Sequence, residues 1–263
     1  MHFNLILVQM KKYFYTLLGL LTIGSYSYGQ DYSDYIAAGL YASTYRVEEV
    51  VVSSDHKEAV LAYAIDLKAE KLAEGYKVQL QTRHQDFDTK LEDLAAACMQ
   101  AIEPLHYRIG KEGGIVELLD HKGLVDNFKK ARPKIEGYFV GDIAKRFINA
   151  FQQRIGDEAF VTDRLKSLLL SQLLFPKKLW FAKTKFTTDF SPMQGAAFLP
   201  YQCTAESIAK GGIITVHIKG TEQKSDSEIE LTYHIDKKSK QLQRIEANIE
   251  MGSGEKHTMK IKK

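Results

Sequence analysis

Strict two-residue alternation marks both ends of the chain. Leu61, Tyr63, Ile65 and Leu67 alternate with small or polar residues, and Tyr76, Val78, Leu80 and Thr82 alternate with Lys77, Gln79, Gln81 and Arg83. Toward the C-terminus, Ile214, Val216 and Ile218 alternate with Thr215, His217 and Lys219. Ile229, Leu231, Tyr233 and Ile235 then alternate with Glu228, Glu230, Thr232 and His234, and Ile245, Ala247, Ile249 and Met251 with Arg244, Glu246, Asn248 and Glu250. His257, Met259 and Ile261 close the series. Side chains on a strand point to opposite faces in turn, so each run predicts a strand with one buried face. Gly75, Lys237 to Lys240 and Gly252-Ser253-Gly254 supply turns, and Val50-Val51-Val52 reads as a further β-branched strand.

The centre changes period. Leu91, Leu94, Ala95, Cys98 and Ile102 recur at helical spacing up to Pro104, with Asp88 as the expected N-cap. His106 to Gly110 and Ile115 to Leu119 predict a hairpin around Lys111-Glu112-Gly113-Gly114. Ile143, Phe147, Ile148, Phe151 and Ile155 form a second helical stripe. Val161, Leu165, Leu168, Leu169 and Leu173 form a third, widened by Leu170 and Leu174, which predicts one helix from Asp157 to Phe175 buried on two sides. Neither set of strands can cover its own apolar face. The expected fold is therefore α+β, an antiparallel β-sheet built from N- and C-terminal strands, with the central helices packed on one face.

The first residues follow a different logic. Lys11 and Lys12 precede an uncharged run from Tyr13 to Ile23, and Ser27 and Gly29 stand at −3 and −1 of a cleavage site. This is the order of a secretory signal peptide, and the run is shorter than the roughly 20 apolar residues of a membrane span. Residues 1–29 are read as the signal peptide, with Met10 as an alternative true start, since residues 1–9 carry no charge. Residues 30–45 are expected to be a flexible lead-in, and 46–263 a single α+β domain. Gln30, not Cys, follows the cleavage site, which argues against a lipid anchor there. The expected location is outside the cytoplasm, in the periplasm or beyond, soluble or peripherally attached.

Composition adds limits. Hydrophobic residues make up 44% and charged residues 26% of the 263, ordinary values for a folded domain. The formal charge of +3 falls to about +1 once Lys11 and Lys12 leave with the leader, too little to collect nucleic acid through a whole-molecule field. Between Asp120 and Asp189, fourteen Lys/Arg face eight Asp/Glu, with Lys129, Lys130, Arg132 and Lys134 the densest part. A solvated helix face or a contact with anionic head groups would each produce that bias. Cys98 and Cys203 are an even pair in an exported chain and so candidates for a disulfide, although Cys98 on an apolar stripe fits a buried free thiol as well.

Chemistry-bearing motifs are scarce. His84, Asp86 and Asp88 form the best local polar cluster, but no HExxH, paired-Cys or calcium-loop spacing accompanies them. Gly252-Ser253-Gly254 lies between strands, not at a strand-to-helix nucleophile elbow. His217 and His234 read as strand-surface neighbours, and no cofactor, metal or catalytic residue is assigned. The segment Trp180, Phe181, Phe186, Phe190 and Phe198, with Pro192, Gly195 and Pro200, is either an irregular crossing plugged by aromatics or the rim of an apolar pocket with Lys177 and Lys178 at its mouth.

The stretches Pro104-Leu105-His106-Tyr107-Arg108-Ile109-Gly110 and Gly114-Ile115-Val116-Glu117-Leu118-Leu119, followed by a basic helix with Lys129-Lys130, resemble uncharacterised exported proteins of Bacteroidota. That resemblance implies no catalytic residues. In architecture the expected sheet with helices against it is similar to periplasmic lipid- and lipoprotein-carrier half-barrels. The function expected is a non-enzymatic cell-envelope protein that binds an apolar or amphipathic ligand, a lipid, or an envelope protein. The alternatives are a hydrolase with a site assembled from distant residues, or a structural subunit of an envelope complex.

Overall fold

The computed structural model describes residues 43–83, 89–193 and 197–263. The expected leader and lead-in up to residue 42, the His84, Asp86 and Asp88 cluster with its expected N-cap, and Gly195 lie outside these residues. Eleven strands form one sheet: β1 (Ser43–Val52), β2 (Glu58–Lys71), β3 (Tyr76–Arg83), β4 (Leu105–Ile109), β5 (Ile115–Leu119), β6 (Lys185–Phe190), β7 (Leu199–Lys210), β8 (Ile213–Glu222), β9 (Ser227–Asp236), β10 (Leu242–Glu250) and β11 (Lys256–Lys262). Their order is β5-β4-β3-β2-β1-β11-β10-β9-β8-β7-β6, antiparallel throughout. Each half is a meander of local hairpins, and the pairing of β1 with β11 joins them, Val47 opposite Ile261 and Val51 opposite His257. β1 begins at Ser43, three residues inside the stretch expected as lead-in.

Six helices are present among the described residues: α1 (Lys90–Ile102), α2 (His121–Tyr138), α3 (Asp142–Ile155), α4 (Glu158–Ser167), α5 (Leu169–Leu174) and α6 (Leu179–Ala182). Thr89 caps α1 in a reciprocal box. Its hydroxyl accepts the Glu92 N–H, and the Glu92 carboxylate accepts the Thr89 N–H. The single helix expected from Asp157 to Phe175 is divided. Leu168 is extended, with ψ at 131°, so α4 ends there and α5 leaves in a new direction. A stripe of leucines gives no warning of such a break, because leucine serves either segment equally well.

The alternating residues share one face across all the strands. Tyr45, Ile65, Leu67, Val78, Leu80, Tyr107, Leu231, Tyr233, Ile245 and Ile261 are all buried there. Tyr107 on β4 and Tyr233 on β9 stand six strand steps apart, which in a flat sheet would be about 29 Å. Yet the Tyr233 hydroxyl donates to the Leu173 carbonyl at 3.2 Å, and Phe175, two residues on, meets Tyr107 edge to face at 5.6 Å. The sheet is therefore curled, its apolar face concave, and the end of α5 lies inside the curl. Phe181 of α6 joins it there, edge-on to Tyr233 at 5.0 Å.

The cysteines do not pair. Cys98 lies on α1, which packs near β2 to β4, while Cys203 is on β7, next to the far edge strand. Both are free and buried, and desolvation pushes each thiol up to about 11, so of the two readings open in the sequence the structure has the buried free thiol at both positions. Cys203 fits because Gly220 is its neighbour on β8. A Cβ at Gly220 would stand 2.6 Å from the Cys203 Sγ.

Candidate functional site

The concave face is not filled everywhere. Under α1, α4 and α5 lies a cavity of about 450 Å³. Its floor is the inner row of three strands: Leu61 and Tyr63 of β2, Leu80 and Thr82 of β3, Leu105 and Tyr107 of β4. Its roof is Ala95, Ala96 and Met99 of α1, with Leu165, Leu168 and Leu170 from around the α4–α5 break. Two local features of the sequence produce the void. The deep stripe of α1 is Leu94, Cys98 and Ile102, which enter the core, and the stripe beside it begins with alanines whose side chains stop at Cβ. The extended Leu168 then brings Leu168 and Leu170 to the wall in place of a helix face that would have closed over it.

The apolar lining of this cavity, not its volume, sets it apart from the other surface hollows of similar size, since a polar one of about 440 Å³ lies over Lys219, Glu230 and Glu250. The cavity falls within the range of small-molecule sites. It also reaches solvent, for Leu61 is 37% exposed and Met99 39% exposed.

One end of the cavity is polar. Thr82, Arg83, Gln100 and Glu103 line the apolar cavity and also a second hollow of about 480 Å³ completed by Asp66 and Gln81. Glu103, at the end of α1, accepts the Thr82 N–H at 3.0 Å, and burial raises its carboxyl above the ordinary value. Arg83 holds Asp66 by two bonds of 2.7 and 2.9 Å, and the Thr44 hydroxyl donates to the same carboxylate. The Arg83 and Thr44 hydrogen bonds hold the Asp66 carboxyl below its usual range. Among the described residues the site thus offers an apolar body with Glu92 of α1 on its wall, and a mouth with one cation, one tethered carboxylate and one carboxyl that resists ionisation.

An ionisable pair of buried His257 and half-buried Glu49 lies on the adjoining concave surface. His257 Nε2 and Glu49 Oε1 are 2.6 Å apart, and Glu49 stands opposite Leu61 in the register. Tyr63, the next inner residue, has its hydroxyl pKa raised by burial and, secondarily, by the Glu49 charge. Among the described residues the other ring nitrogen of His257, Nδ1, has no hydrogen-bond partner. His217 and His234, on the opposite face, each contact a threonine, Thr232 and Thr215 respectively. Among the described residues no group of three or more His, Cys, Asp or Glu is placed to hold a metal.

The aromatic crossing is distributed differently. Trp180, Phe181 and Phe190 are buried, with the Trp180 Nε1–H donating to Thr188 at 3.0 Å and Phe190 edge-on to Tyr201. Phe186 is half-buried on β6 opposite Cys203. Lys177, Trp180 and Phe198 do meet, around a small hollow of about 150 Å³ on the other side of Ser171. Phe181, Phe186, Phe190 and Lys178 do not line it, and Lys178 instead ties its backbone N–H to the Glu112 carbonyl.

No protein-family model and no curated protein matches the chain, so the resemblance to exported Bacteroidota proteins gains no support. Among solved structures, a LolA-superfamily protein of Nitrosomonas europaea aligns over 90% of this chain and 92% of its own, with 9% identity and a TM-score of 0.26. A likeness at that level carries no argument. No helix among the described residues is long and apolar enough to cross a membrane.

Proposed function

We propose that this chain is an exported, non-enzymatic protein of the cell envelope that sequesters an apolar or amphipathic ligand between the concave sheet and its helices. The observation that carries this reading is the 450 Å³ apolar cavity of β2 to β4 and α1, α4 and α5, opening into a polar mouth. An acyl chain fits its chemistry. The body would lie against Leu80, Leu105, Met99 and Leu168, and the head group would sit near Arg83 and Gln100. In this reading the helices act as a cover on one face of the sheet, and the leader of residues 1–29 delivers the chain to the compartment where such ligands travel.

The test is the ligand itself. The leader-processed protein is purified without detergent, its native mass is measured, and solvent extracts are analysed for lipids. Ala96→Phe, which places a ring in the cavity from an already half-buried helix position, is compared with it. The expected result is a co-purifying acyl ligand, with uptake of a fluorescent fatty acid weakened at least tenfold in Ala96→Phe while its circular dichroism is unchanged. A clean unliganded mass with no fatty-acid uptake by the parent protein would remove the carrier reading.

A further inference from the structure

The helical hairpin of α2 and α3 ends in side chains that pack on nothing. Tyr138 is 80% exposed, Val140 81% and Ile143 68%. They are consecutive features of one turn, Gly137-Tyr138-Phe139-Val140-Gly141-Asp142-Ile143, where α2 stops at Tyr138 and α3 begins at Asp142. Gly141, at φ +107°, allows the chain to reverse there. Phe139 stays half-buried, with the Tyr138 ring edge-on to it at 4.9 Å, so the exposed side chains are held by a firm base. Apolar exposure of this degree at a convex turn contributes nothing to the stability of the chain alone.

The charges around it have a consistent sign. Lys134 lies one turn before Tyr138 on the same face of α2, and Lys145 and Arg146 flank Ile143 in the first two turns of α3. Among the described residues none of the three has an ion-pair partner, whereas Arg132, further back, is bound to Glu136, Asn149 and Gln152. Asp142 is the one acid in the turn itself. We propose that this tip docks on an anionic phospholipid surface, with Tyr138, Val140 and Ile143 entering the interface and Lys134, Lys145 and Arg146 on the phosphates. An amphipathic tyrosine suits the boundary between head groups and acyl chains, and cations beside an anionic leaflet each strengthen partitioning about fivefold. A convex apolar tip ringed by unpaired cations matches a flat negative surface, where a protein groove would need a concave partner with its own acids. This surface is separate from the cavity and does not depend on a ligand there.

Flotation of the leader-processed protein with vesicles tests it. Phosphatidylcholine vesicles are compared with vesicles half phosphatidylglycerol, at low and high salt. Binding is expected on the anionic vesicles at low salt, lost by about 0.5 M NaCl and absent on phosphatidylcholine alone. Lys134→Gln/Lys145→Gln/Arg146→Gln and Tyr138→Ser/Val140→Ser/Ile143→Ser should each weaken partitioning tenfold or more. Val140→Trp should shift its emission to shorter wavelength only with anionic vesicles, and its exposure makes that variant safe for folding. Ala96→Phe should bind vesicles as the parent does, so that failure of the cavity reading leaves this result untouched. Absence of binding at low salt, or equal binding by parent and serine variant, would overturn the proposal.

Discussion

Glu103 is the residue whose environment is most at odds with its chemistry. Burial disfavours its charged form, so the folded protein holds a proton there more tightly than the unfolded chain does, whose carboxyl titrates near 4.5. Stability from this group is complete below the unfolded value and is lost as pH rises through the folded one. Glu103→Gln, which keeps an oxygen to accept the Thr82 N–H, should therefore be more stable than the parent at pH 7. The difference should vanish near pH 4, as followed by urea unfolding at several pH values. Asp66 has the opposite sign, and its contribution fades as pH falls through a value below 3.8. Neither residue stood out in the sequence, and nor did the cavity. Leu61, Tyr63 and Leu80 were legible as inner-face residues, but a void is made by what is missing, and alternation does not report the size of the residue that stands opposite. Ala95 and Ala96 were the available signal, two small side chains where a helix facing a sheet would usually carry larger ones. The aromatic crossing is conspicuous in the sequence because aromatics are rare and large, and the same size takes Trp180, Phe181 and Phe190 into the core.

Among the elements, β9 states the rule of the whole sheet. Leu231 is fully buried between Ile218 and Ala247, and its neighbour Glu230 faces out in a surface ion pair with Lys219. Leu231→Ala should cost about 2–5 kcal/mol and Glu230→Ala no more than about 0.5 kcal/mol in denaturant unfolding. Similar costs at the two positions would contradict the assignment of faces. The strands were readable for the same reason that these costs differ, since a half-buried strand must alternate. Helices were readable in place but not in detail. Ile143 belonged to the apolar stripe expected to face inward, yet it is exposed, because the first turn of α3 projects past the helices that shelter Ile148 and Ile155. The break at Leu168 is likewise set by what α5 must reach inside the curled sheet, a demand that comes from strands far away in the chain.

For the molecule as a whole, the seam between β1 and β11 is the pairing on which the continuous sheet depends. Nine of the ten strand-to-strand joins link strands consecutive in the chain, whereas this one joins Arg46 to Lys262. Deleting residues 256–263 would leave β1 and β10 each open along one edge, with only β2 and β9 as neighbours, and remove Met259 and Ile261 from the concave face. Such a chain should lose its cooperative unfolding transition and bind hydrophobic dyes, whereas Met259→Ala in the full chain should remain cooperative at a cost of about 2–5 kcal/mol. Pairings this distant in sequence are the slowest to form. The seam therefore acts as a timer during synthesis. The N-terminal meander is made well before β11, so its edge at β1 stays open, with backbone N–H and C=O groups unpaired, until the C-terminal meander closes on it.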